Sequence, residues 1–232
     1  MKTQLGVLLA CSLFLGSTQT FCQSFTTPDL APTLTIRLYQ RTNVPERILR
    51  PASELVVKIF QEVGVTVHWV IAEPNTLEAV TVDRTGITAG KRPAPDRREY
   101  LAVRLVAETP ENVLPGAIGY ALPFAQQGVH ATIFYDRVEQ LSRSSIPMPT
   151  AATLLGAAIA HEIGHVLLDS CEHSPGGLMK SSWGRTEFRT LSTRGLHFTP
   201  QEGQVIRIGT LKRMHFQNQN GGVQRLANIA SR

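Results

Sequence analysis

The fold is decided by the stretch Thr150–Asp169, which reads TAATLLGAAIAHEIGHVLLD. It contains no proline and many good helix formers, so it predicts one long helix. Apolar residues and two histidines share one face of that helix at the i, i+4, i+7 spacing. Histidines on the inner face of an apolar helix are costly to bury unless they are hydrogen-bonded or bind a metal ion. This helix is therefore predicted to carry a polar site on its inner face.

Two histidines and a glutamate form an HExxH sequence in this helix: His161, Glu162 and His165. The two histidines lie one turn apart on the same face, so both imidazoles can hold one ion. Glu162 is the next residue round the helix, where it can reach a metal-bound water without binding the metal itself. Two core histidines bonded to backbone carbonyls are the alternative, but the intervening glutamate favours metal. The pattern is the one that metal-assisted hydrolysis needs.

A third protein ligand is expected, because catalytic zinc usually has three and leaves a fourth position for water. His173 follows the predicted helix end in a turn-rich segment that could fold back onto the helix face. Other donors remain possible third ligands, three of them close to His173 and two on later segments of the chain. These rival donors are Asp169, Cys171, Glu172, Glu187 and Glu202.

The segment from His161 to Met179 resembles the core of the metzincin zinc metallopeptidases, and it is most similar to secreted bacterial members with a later third histidine. The usual metzincin pattern is HExxHxxGxxH followed by a Met-turn. Here Leu168 stands in place of the helix-breaking glycine, and Cys171 in place of the third histidine. A helix without that glycine can run further, which makes a ligand at His173 physically reasonable.

The resemblance implies that three histidines bind Zn²⁺, namely His161, His165 and His173. It implies that Glu162 is the general base and that Met179, in the Met-turn, forms an apolar floor beneath the metal. An ordinary core methionine would explain Met179 equally well. The function implied is that of a secreted zinc-dependent endopeptidase. The alternatives are a non-catalytic zinc-containing binding module on a protease fold and a zinc hydrolase of a non-peptide amide.

The N-terminus predicts a secretory signal peptide over residues 1–24. One positive charge, at Lys2, precedes an apolar run of about twelve residues that is too short to span a membrane. A zinc metallopeptidase domain is predicted over residues 25–215, and a flexible tail rich in Asn, Gln and Gly over residues 216–232. The mature protein is therefore expected to be secreted or periplasmic, with no integral membrane segment after cleavage of the signal.

The composition indicates an ordinary globular protein, with 42% hydrophobic and 18% charged residues in 232. The basic residues are dispersed, so the net charge of +5 indicates a solvated basic surface and no nucleic-acid partner. Cys11 and Cys22 fall within the predicted signal peptide, which leaves Cys171 without a partner and predicts no disulfide framework. The protein is expected to be a monomer that acts on peptide or protein substrates.

The chain before the HExxH helix begins with a β-α-β unit. Alternating apolar residues predict strands over residues 33–40 and 65–72. Between them lies an amphipathic helix over residues 51–63, with Pro51 in its first turn and Gly64 at its end. Such a unit predicts parallel pairing of the two strands with a right-handed crossover.

Residues 73–99 predict a long irregular loop, and strands are predicted over residues 100–107, 117–123 and 129–137. Either of the last two could be the edge strand at which metzincin-like folds add a peptide substrate. A capping box at Thr199-Pro200-Gln201-Glu202 predicts a helix to about Gly209. Together these elements predict an α+β, metzincin-like zinc-protease domain. It has a mixed twisted sheet with a βαβ start, an active-site helix and a C-terminal helix.

Further polar and aromatic residues are weaker candidates for the site. Tyr120, Tyr135 and His197 are candidates for a second oxyanion donor. His130 could line the cleft together with the two tyrosines, although each of these three is equally suited to packing or to the surface. His68 falls within a predicted strand and is predicted to be structural.

Overall fold

A computed structural model describes most of the chain between residues 31 and 214. The described ranges are residues 31–72, 79–83, 86–88, 100–125, 128–143 and 148–214. All of them belong to one unit of the chain, Ala31–Arg232. The predicted signal peptide and the predicted tail lie outside the described residues, so both stay predictions.

The described strands form a seven-stranded mixed sheet in the order β4-β3-β2-β1-β5-β7-β6. Four central strands, β2, β1, β5 and β7, run parallel, and the remaining three pair antiparallel at the two ends of the sheet. The strand bounds are β1 Thr33–Gln40, β2 Thr66–Ala72, β3 Ala79–Asp83, β4 Gly86–Thr88, β5 Leu101–Val106, β6 Gly119–Ala121 and β7 Ala131–Phe134.

Five helices accompany this sheet in the described residues. Alternate residues of β1, β2, β5 and β7 are buried in one core cluster with α1 and α3, which pack against each other. The α+β class with a mixed sheet, predicted from the sequence, is confirmed. The helix bounds are α1 Glu46–Glu62, α2 Tyr135–Arg143, α3 Ala151–Leu168, α4 Arg185–Thr193 and α5, which covers residues 200–214.

The predicted β-α-β unit is confirmed, because β1 and β2 pair in parallel from Thr33↔Thr66 onward. Its helix begins earlier than predicted, at Glu46, so that Pro51 lies inside it and not in its first turn. The buried stripe of α1 already includes Leu49, and its packing outweighs the single helical hydrogen bond that a proline in the second turn removes. Gly64 follows the helix end with φ of 75°, as predicted for a glycine at that position.

The long irregular loop predicted over residues 73–99 is wrong in part. It contains β3 and β4, which extend the sheet antiparallel beyond β2. Ala79–Asp83 reads AVTVD, an alternating and β-branched pattern that is typical of a strand. The prolines, glycines and charges around it obscured that signal. The other residues of this segment lie outside the described ranges.

The strand predicted over residues 129–137 is also wrong in part, because β7 ends at Phe134 and Tyr135 begins α2. Asp136, in the first turn of α2, accepts hydrogen bonds from the backbone N and the Oγ1 of Thr109 at 3.0 and 2.9 Å. These hydrogen bonds from the preceding loop favour a helix that begins here, although the alternation of apolar and polar residues predicted that the strand continues. The strand predicted over residues 100–107 is confirmed as β5, Leu101–Val106.

The HExxH stretch forms the predicted helix, α3, in the centre of the molecule. Every residue from Leu154 to Leu167 is buried. A Cβ on Gly156 would lie 2.7 Å from the carbonyl oxygen of Ala52, so this glycine lets α1 and α3 approach closely. Among the described residues, α3 alone is long and apolar enough to cross a membrane, and most of it is buried inside the molecule.

Candidate metal centre

The sequence sets both ends of α3 through local hydrogen bonds. Thr150 caps the N-terminus, where its Oγ1 accepts the backbone N–H of Thr153 at 3.1 Å. At the other end Asp169 adopts a left-handed conformation with φ of 53° and ψ of 43°. The next residue, Ser170, donates its N–H back to the carbonyl of His165 at 3.2 Å. The helix therefore ends just after Leu168, and the chain turns back toward its own last turns.

Two buried histidines of α3 are held in one orientation by backbone carbonyls. The Nδ1 atom of His161 lies 2.7 Å from the carbonyl oxygen of Leu178, and the Nδ1 atom of His165 lies 2.9 Å from that of Ser170. A carbonyl only accepts hydrogen bonds, so each Nδ1 carries the proton and donates it. Each Nε2 atom therefore presents a lone pair, the form in which histidine binds a metal.

These two Nε2 atoms face each other at 3.1 Å. Burial lowers the pKa of His161 to about 4 and also lowers that of His165, so both rings are neutral near pH 7. Two lone pairs at this distance repel unless a cation lies against both of them. Two nitrogens bound to one tetrahedral zinc are about 3.3 Å apart, which matches the observed spacing. The donor pair therefore fits a metal ion and not a hydrogen bond.

His173 completes the cluster from the segment that follows α3. Its ring centroid lies 5.4 Å from that of His161 and 4.7 Å from that of His165. One donor atom from each of the three histidines falls within 4.8 Å of the others. His173 is exposed, whereas the two helix histidines are buried. Three imidazoles thus converge on one point, with the exposed one on the solvent side, and together they could hold a metal ion.

The rival third ligands are not part of this cluster. Glu187 pairs with the Nζ of Lys180 at 2.5 Å and accepts the N–H of Gly184 at 2.8 Å, and these contacts lower its pKa. Cys171 is an exposed free thiol. The cluster found in the described residues includes none of the five rivals, which are Asp169, Cys171, Glu172, Glu187 and Glu202.

Glu202 ties the segment of His173 to α5. Its carboxylate accepts the hydroxyl of Ser174 and also the N–H of Thr199, the latter at 2.7 Å. Its own N–H donates to the Oγ1 of Thr199 at 3.3 Å, so the predicted capping box is confirmed. Ser174 in turn donates its N–H to the carbonyl of Met179 at 2.8 Å. Glu202, considered above as a ligand, is instead positioned to hold the loop that carries His173.

Glu162 lies buried beneath the edge strand of the sheet. Desolvation raises its pKa to about 8, so the protein alone favours the protonated carboxyl. A Cβ built on Gly119 of β6 would lie 3.2 Å from the Cγ of Glu162 and 2.7 Å from the carbonyl oxygen of Thr132. The absent side chain of Gly119 thus leaves room above the carboxyl. Gly119 was not identified from the sequence, where a glycine within a predicted strand is only a weak signal of a close approach.

Met179 packs directly against α3 at Gly164, the residue before His165. Its Sδ atom would lie 2.6 Å from a Cβ on Gly164, and its side chain is 1% exposed. The preceding residue, Leu178, donates its N–H to the carbonyl of His197 at 2.9 Å and holds His161 with its own carbonyl. The segment at 178–179 therefore orients one histidine and supports the helix beneath both.

Trp183 contacts the cluster, and sequence reasoning did not identify it. Its ring meets His161 edge-to-face, with the centroids 5.7 Å apart and the planes at 90°. It packs against the hydrophobic core while remaining partly accessible. No local motif marks this residue, because its contact with His161 depends on the turn that follows Met179.

The three candidates for a second oxyanion donor, Tyr120, Tyr135 and His197, lie on different elements and differ in exposure. Tyr120 is exposed on β6, with its ring 5.9 Å from that of Phe134. Tyr135 is buried at the start of α2. His197 pairs with Glu62 of α1 through Nδ1, so it ties the 195–199 segment to α1.

Two further histidines of the described residues, His130 and His68, lie outside the metal cluster. His130 is buried and accepts the N–H of Ala102 at 3.2 Å. Desolvation, with a smaller contribution from Arg213, lowers its pKa to about 4. His68 is exposed on β2. The structure thus brings together His161, Glu162, His165 and His173, and leaves these two apart.

Comparison with known proteins gives similarity at the level of structure alone. No protein-family model matches the chain, and no curated protein sequence matches it significantly. An archaemetzincin from Methanopyrus kandleri is similar, with 15% identity and a TM-score of 0.45, over 79% of this chain and 98% of that one. Metalloproteinase-II from Bacteroides fragilis is similar with 13% identity and a TM-score of 0.48. That match covers 78% of this chain and 54% of the metalloproteinase.

Proposed function

We propose that this protein is a zinc-dependent endopeptidase. In this proposal His161, His165 and His173 hold the metal, and Glu162 is the general base. The observation that carries the proposal is the pair of neutral, buried imidazoles whose Nε2 lone pairs face each other at 3.1 Å. A buried carboxyl occupies the helix position next to the first of them. A structural metal site does not need that carboxyl, whereas hydrolysis does.

The donor set supports zinc in a catalytic role. Three neutral imidazoles leave the full positive charge on the ion and keep a fourth position for water or substrate. When bound, zinc would polarise a substrate carbonyl and lower the pKa of the attacking water toward about 7. The contacts of Nδ1 with the carbonyls of Leu178 and Ser170 fix the tautomer and ring orientation that this role needs. Met179 would form the apolar floor of the site.

Glu162 supplies the proton transfer. A cation held by its neighbours favours the carboxylate and so opposes the effect of burial on its pKa. The carboxylate accepts a proton from the attacking water and returns it to the leaving amine. Glu162 is buried, and its Cγ lies close to Gly119 of β6, so burial restricts the positions that its carboxyl can take during both transfers.

Within the part of the chain that the structure describes, β6 ends the sheet with an unpaired outer edge, and this edge supports a peptide as the substrate. Leu122 donates its N–H to the carbonyl of His130, and the carbonyl of Ile118 accepts the N–H of Phe134, so residues 118 and 122 face β7. Backbone groups alternate in direction along a strand, and those of Gly119 and Ala121 therefore point to the free edge. An extended peptide can pair with them. That pairing would bring a peptide bond next to Glu162.

Of the two strands that the sequence left open as the substrate-binding edge, β6 is the better candidate. β7 is the last strand before α3, but it lies inside the sheet and runs parallel to β5. β6 precedes it in the chain, ends the sheet and runs antiparallel to β7. The short β6 of three residues limits pairing to a few peptide units.

The metal part of the proposal is tested by removing and restoring zinc in the purified protein. We expect one zinc per chain, loss of peptide hydrolysis after chelation and recovery when zinc is added. The double variant His161→Ala, His165→Ala should neither bind zinc nor recover activity. Hydrolysis that persists at full rate in the double variant would refute the assignment of the site.

We further propose that the protein acts outside the cytoplasm. The support is the N-terminal sequence described above, in which the positive charge of Lys2 precedes an apolar run of about twelve residues. Expression of the full chain in a bacterium should give an exported product that is shorter at its N-terminus. A full-length product retained in the cytoplasm would contradict this part of the proposal.

A further inference from the structure

Exposed apolar residues are concentrated around the edge strand. Six large hydrophobic side chains are exposed among the described residues, and four of them lie between residues 114 and 124. The other two, Val205 and Ile208, lie on α5. A local concentration of exposed apolar side chains is typical of a binding surface. The four, with their exposed fractions, are Leu114 at 78%, Tyr120 at 42%, Leu122 at 49% and Phe124 at 66%.

Tyr120 and Leu122 share one face of the edge strand. They alternate with Gly119 and Ala121, which face the other way, toward Glu162 and the core. The ring of Tyr120 contacts that of Phe134, with the centroids 5.9 Å apart, and this contact restricts its position although it is exposed. The strand thus presents two exposed apolar side chains on the face opposite to the carboxyl of the site.

The segment that leads into β6 is held by α2. The Nη1 atom of Arg137 donates to the carbonyls of Leu114 and Ala117, each at 3.1 Å. The neighbouring Asp136 fixes Thr109 through two hydrogen bonds. Leu114 is therefore carried by a segment that is anchored at three points. An exposed leucine on an anchored segment is consistent with a surface that meets a ligand.

The edge segment offers nothing to pair with a charged substrate. Residues 113–125 read VLPGAIGYALPFA and contain no charged side chain. Directly opposite side chains on one face of an antiparallel pair interact, and aromatic or apolar pairs stabilise it. A charged side chain placed opposite Tyr120 or Leu122 would lose water without gaining a partner.

We propose that Tyr120 and Leu122 select peptide substrates with apolar side chains at every second position. These are the substrate positions whose side chains lie on the same face of the sheet as Tyr120 and Leu122. This inference rests on the proposed function and names its substrate class. The substrate side chains on the other face of the added peptide would point toward Glu162 and α3. Tyr120 and Leu122 would not determine which side chains are accepted there. The alternation follows from the pleat of a strand paired at Gly119 and Ala121.

Kinetics with matched peptides test the inference. One peptide has Leu or Phe at every second position, and the other has Glu at the same positions. We expect the wild-type protein to prefer the apolar peptide in kcat/KM. The double variant Tyr120→Thr, Leu122→Thr keeps residues that suit a strand. It should raise KM for the apolar peptide about 3- to 30-fold. It should leave kcat nearly unchanged, because Tyr120 lies on the face of β6 opposite to Glu162 and is therefore not the oxyanion donor.

Two further variants separate side-chain recognition from loss of structure. Val205→Thr with Ile208→Thr removes the same kind of exposed apolar surface from α5 and should leave both constants unchanged. Leu122→Lys should shift the preference toward the peptide with Glu, which a merely damaged protein would not do. An unchanged preference in Leu122→Lys and in the double threonine variant would overturn the proposal while leaving the proposed function intact.

A binding measurement keeps the test independent of turnover. The zinc-loaded Glu162→Gln variant should bind the apolar peptide more tightly than the peptide with Glu, and the two threonine substitutions should remove the difference. Equal binding of both peptides overturns the preference, even if no peptide is hydrolysed. Sedimentation tests whether the exposed residues join two copies of the chain. A wild-type dimer that becomes a monomer in the double threonine variant would also overturn the proposal.

Discussion

At the scale of single residues, the site depends on which atom of each histidine carries the proton. Carbonyls fix the proton on Nδ1 of His161 and His165 and leave both Nε2 atoms free for a metal. The helix pair and Glu162 were readable from the sequence, because helical periodicity alone sets their relative placement. The carbonyl partners were not readable, since the contact between Leu178 and His161 depends on how the segment after α3 folds back onto the helix.

The proposed third ligand, His173, gives a direct expectation for zinc affinity. His173→Ala removes one of three converging imidazoles, so the affinity for zinc should fall by at least about a hundredfold. Cys171→Ser is the matched control, because it changes an exposed competing donor that is not part of the cluster. Competition with a chromophoric chelator measures both. A loss of affinity in Cys171→Ser, with His173→Ala unaffected, would transfer the role to the thiol.

Gly119 gives an expectation for activity. In Gly119→Ala the new Cβ would press on Glu162 and on the backbone of Thr132, with a cost of about 1–3 kcal/mol in the free energy of unfolding. We expect kcat/KM for peptide hydrolysis to fall while zinc content stays at one per chain. Gly176→Ala is the control, because no atom lies within 4 Å of a Cβ at that position. Full activity of Gly119→Ala would show that the space above the carboxyl is not needed.

At the scale of elements, prediction succeeded where a local pattern and tertiary packing agree. The β1-α1-β2 unit, α3 and the cap of α5 each carry their own signal, in apolar periodicity or in a capping box. Helix α4 was not predicted, because it is largely exposed and buries only Leu191. Helix α2 was not predicted either, since its N-terminus is fixed by a contact with Thr109 that is distant in sequence.

The junction between α5 and the loop of His173 is an element-scale contact that can be tested. Glu202→Ala removes the acceptor for Ser174 and Thr199, so we expect about 1–2 kcal/mol less stability and zinc affinity about 10- to 100-fold lower. Glu202→Gln keeps an acceptor and should recover most of both. Denaturant unfolding and chelator competition report the two quantities. If the alanine variant binds zinc normally, Glu202 has no role in placing His173.

At the scale of the whole molecule, buried neutral histidines couple stability to pH. The pKa of His130 is about 4 in the folded protein, against an ordinary value of 6.5 for histidine in an unfolded chain, so the unfolded chain takes up the proton first. The stabilisation is complete above about pH 6.5 and is lost as the pH falls toward 4. His161 acts in the same direction when no metal is bound.

In the presence of a chelator, the two histidines should lower the free energy of unfolding between pH 7 and pH 4.5, and Glu162, whose pKa burial raises to about 8, should offset part of this decrease. His130→Asn offers an amide oxygen to the N–H of Ala102 and does not titrate, so its decrease should be shallower. Denaturant unfolding of both proteins at each pH gives the comparison. Parallel curves for the two proteins would mean that His130 is not neutral in the fold.

The central claim is that the three histidines and Glu162 form a hydrolytic zinc site, and one measurement tests it most directly. Hydrolysis of a mixed peptide library is measured for the zinc-loaded wild-type protein beside zinc-loaded Glu162→Gln. We expect the variant to retain one zinc per chain, because Glu162 is not a ligand, and to lose a factor of at least about 10² in rate. Equal hydrolysis by both proteins, or none by the zinc-loaded wild type, would contradict the claim.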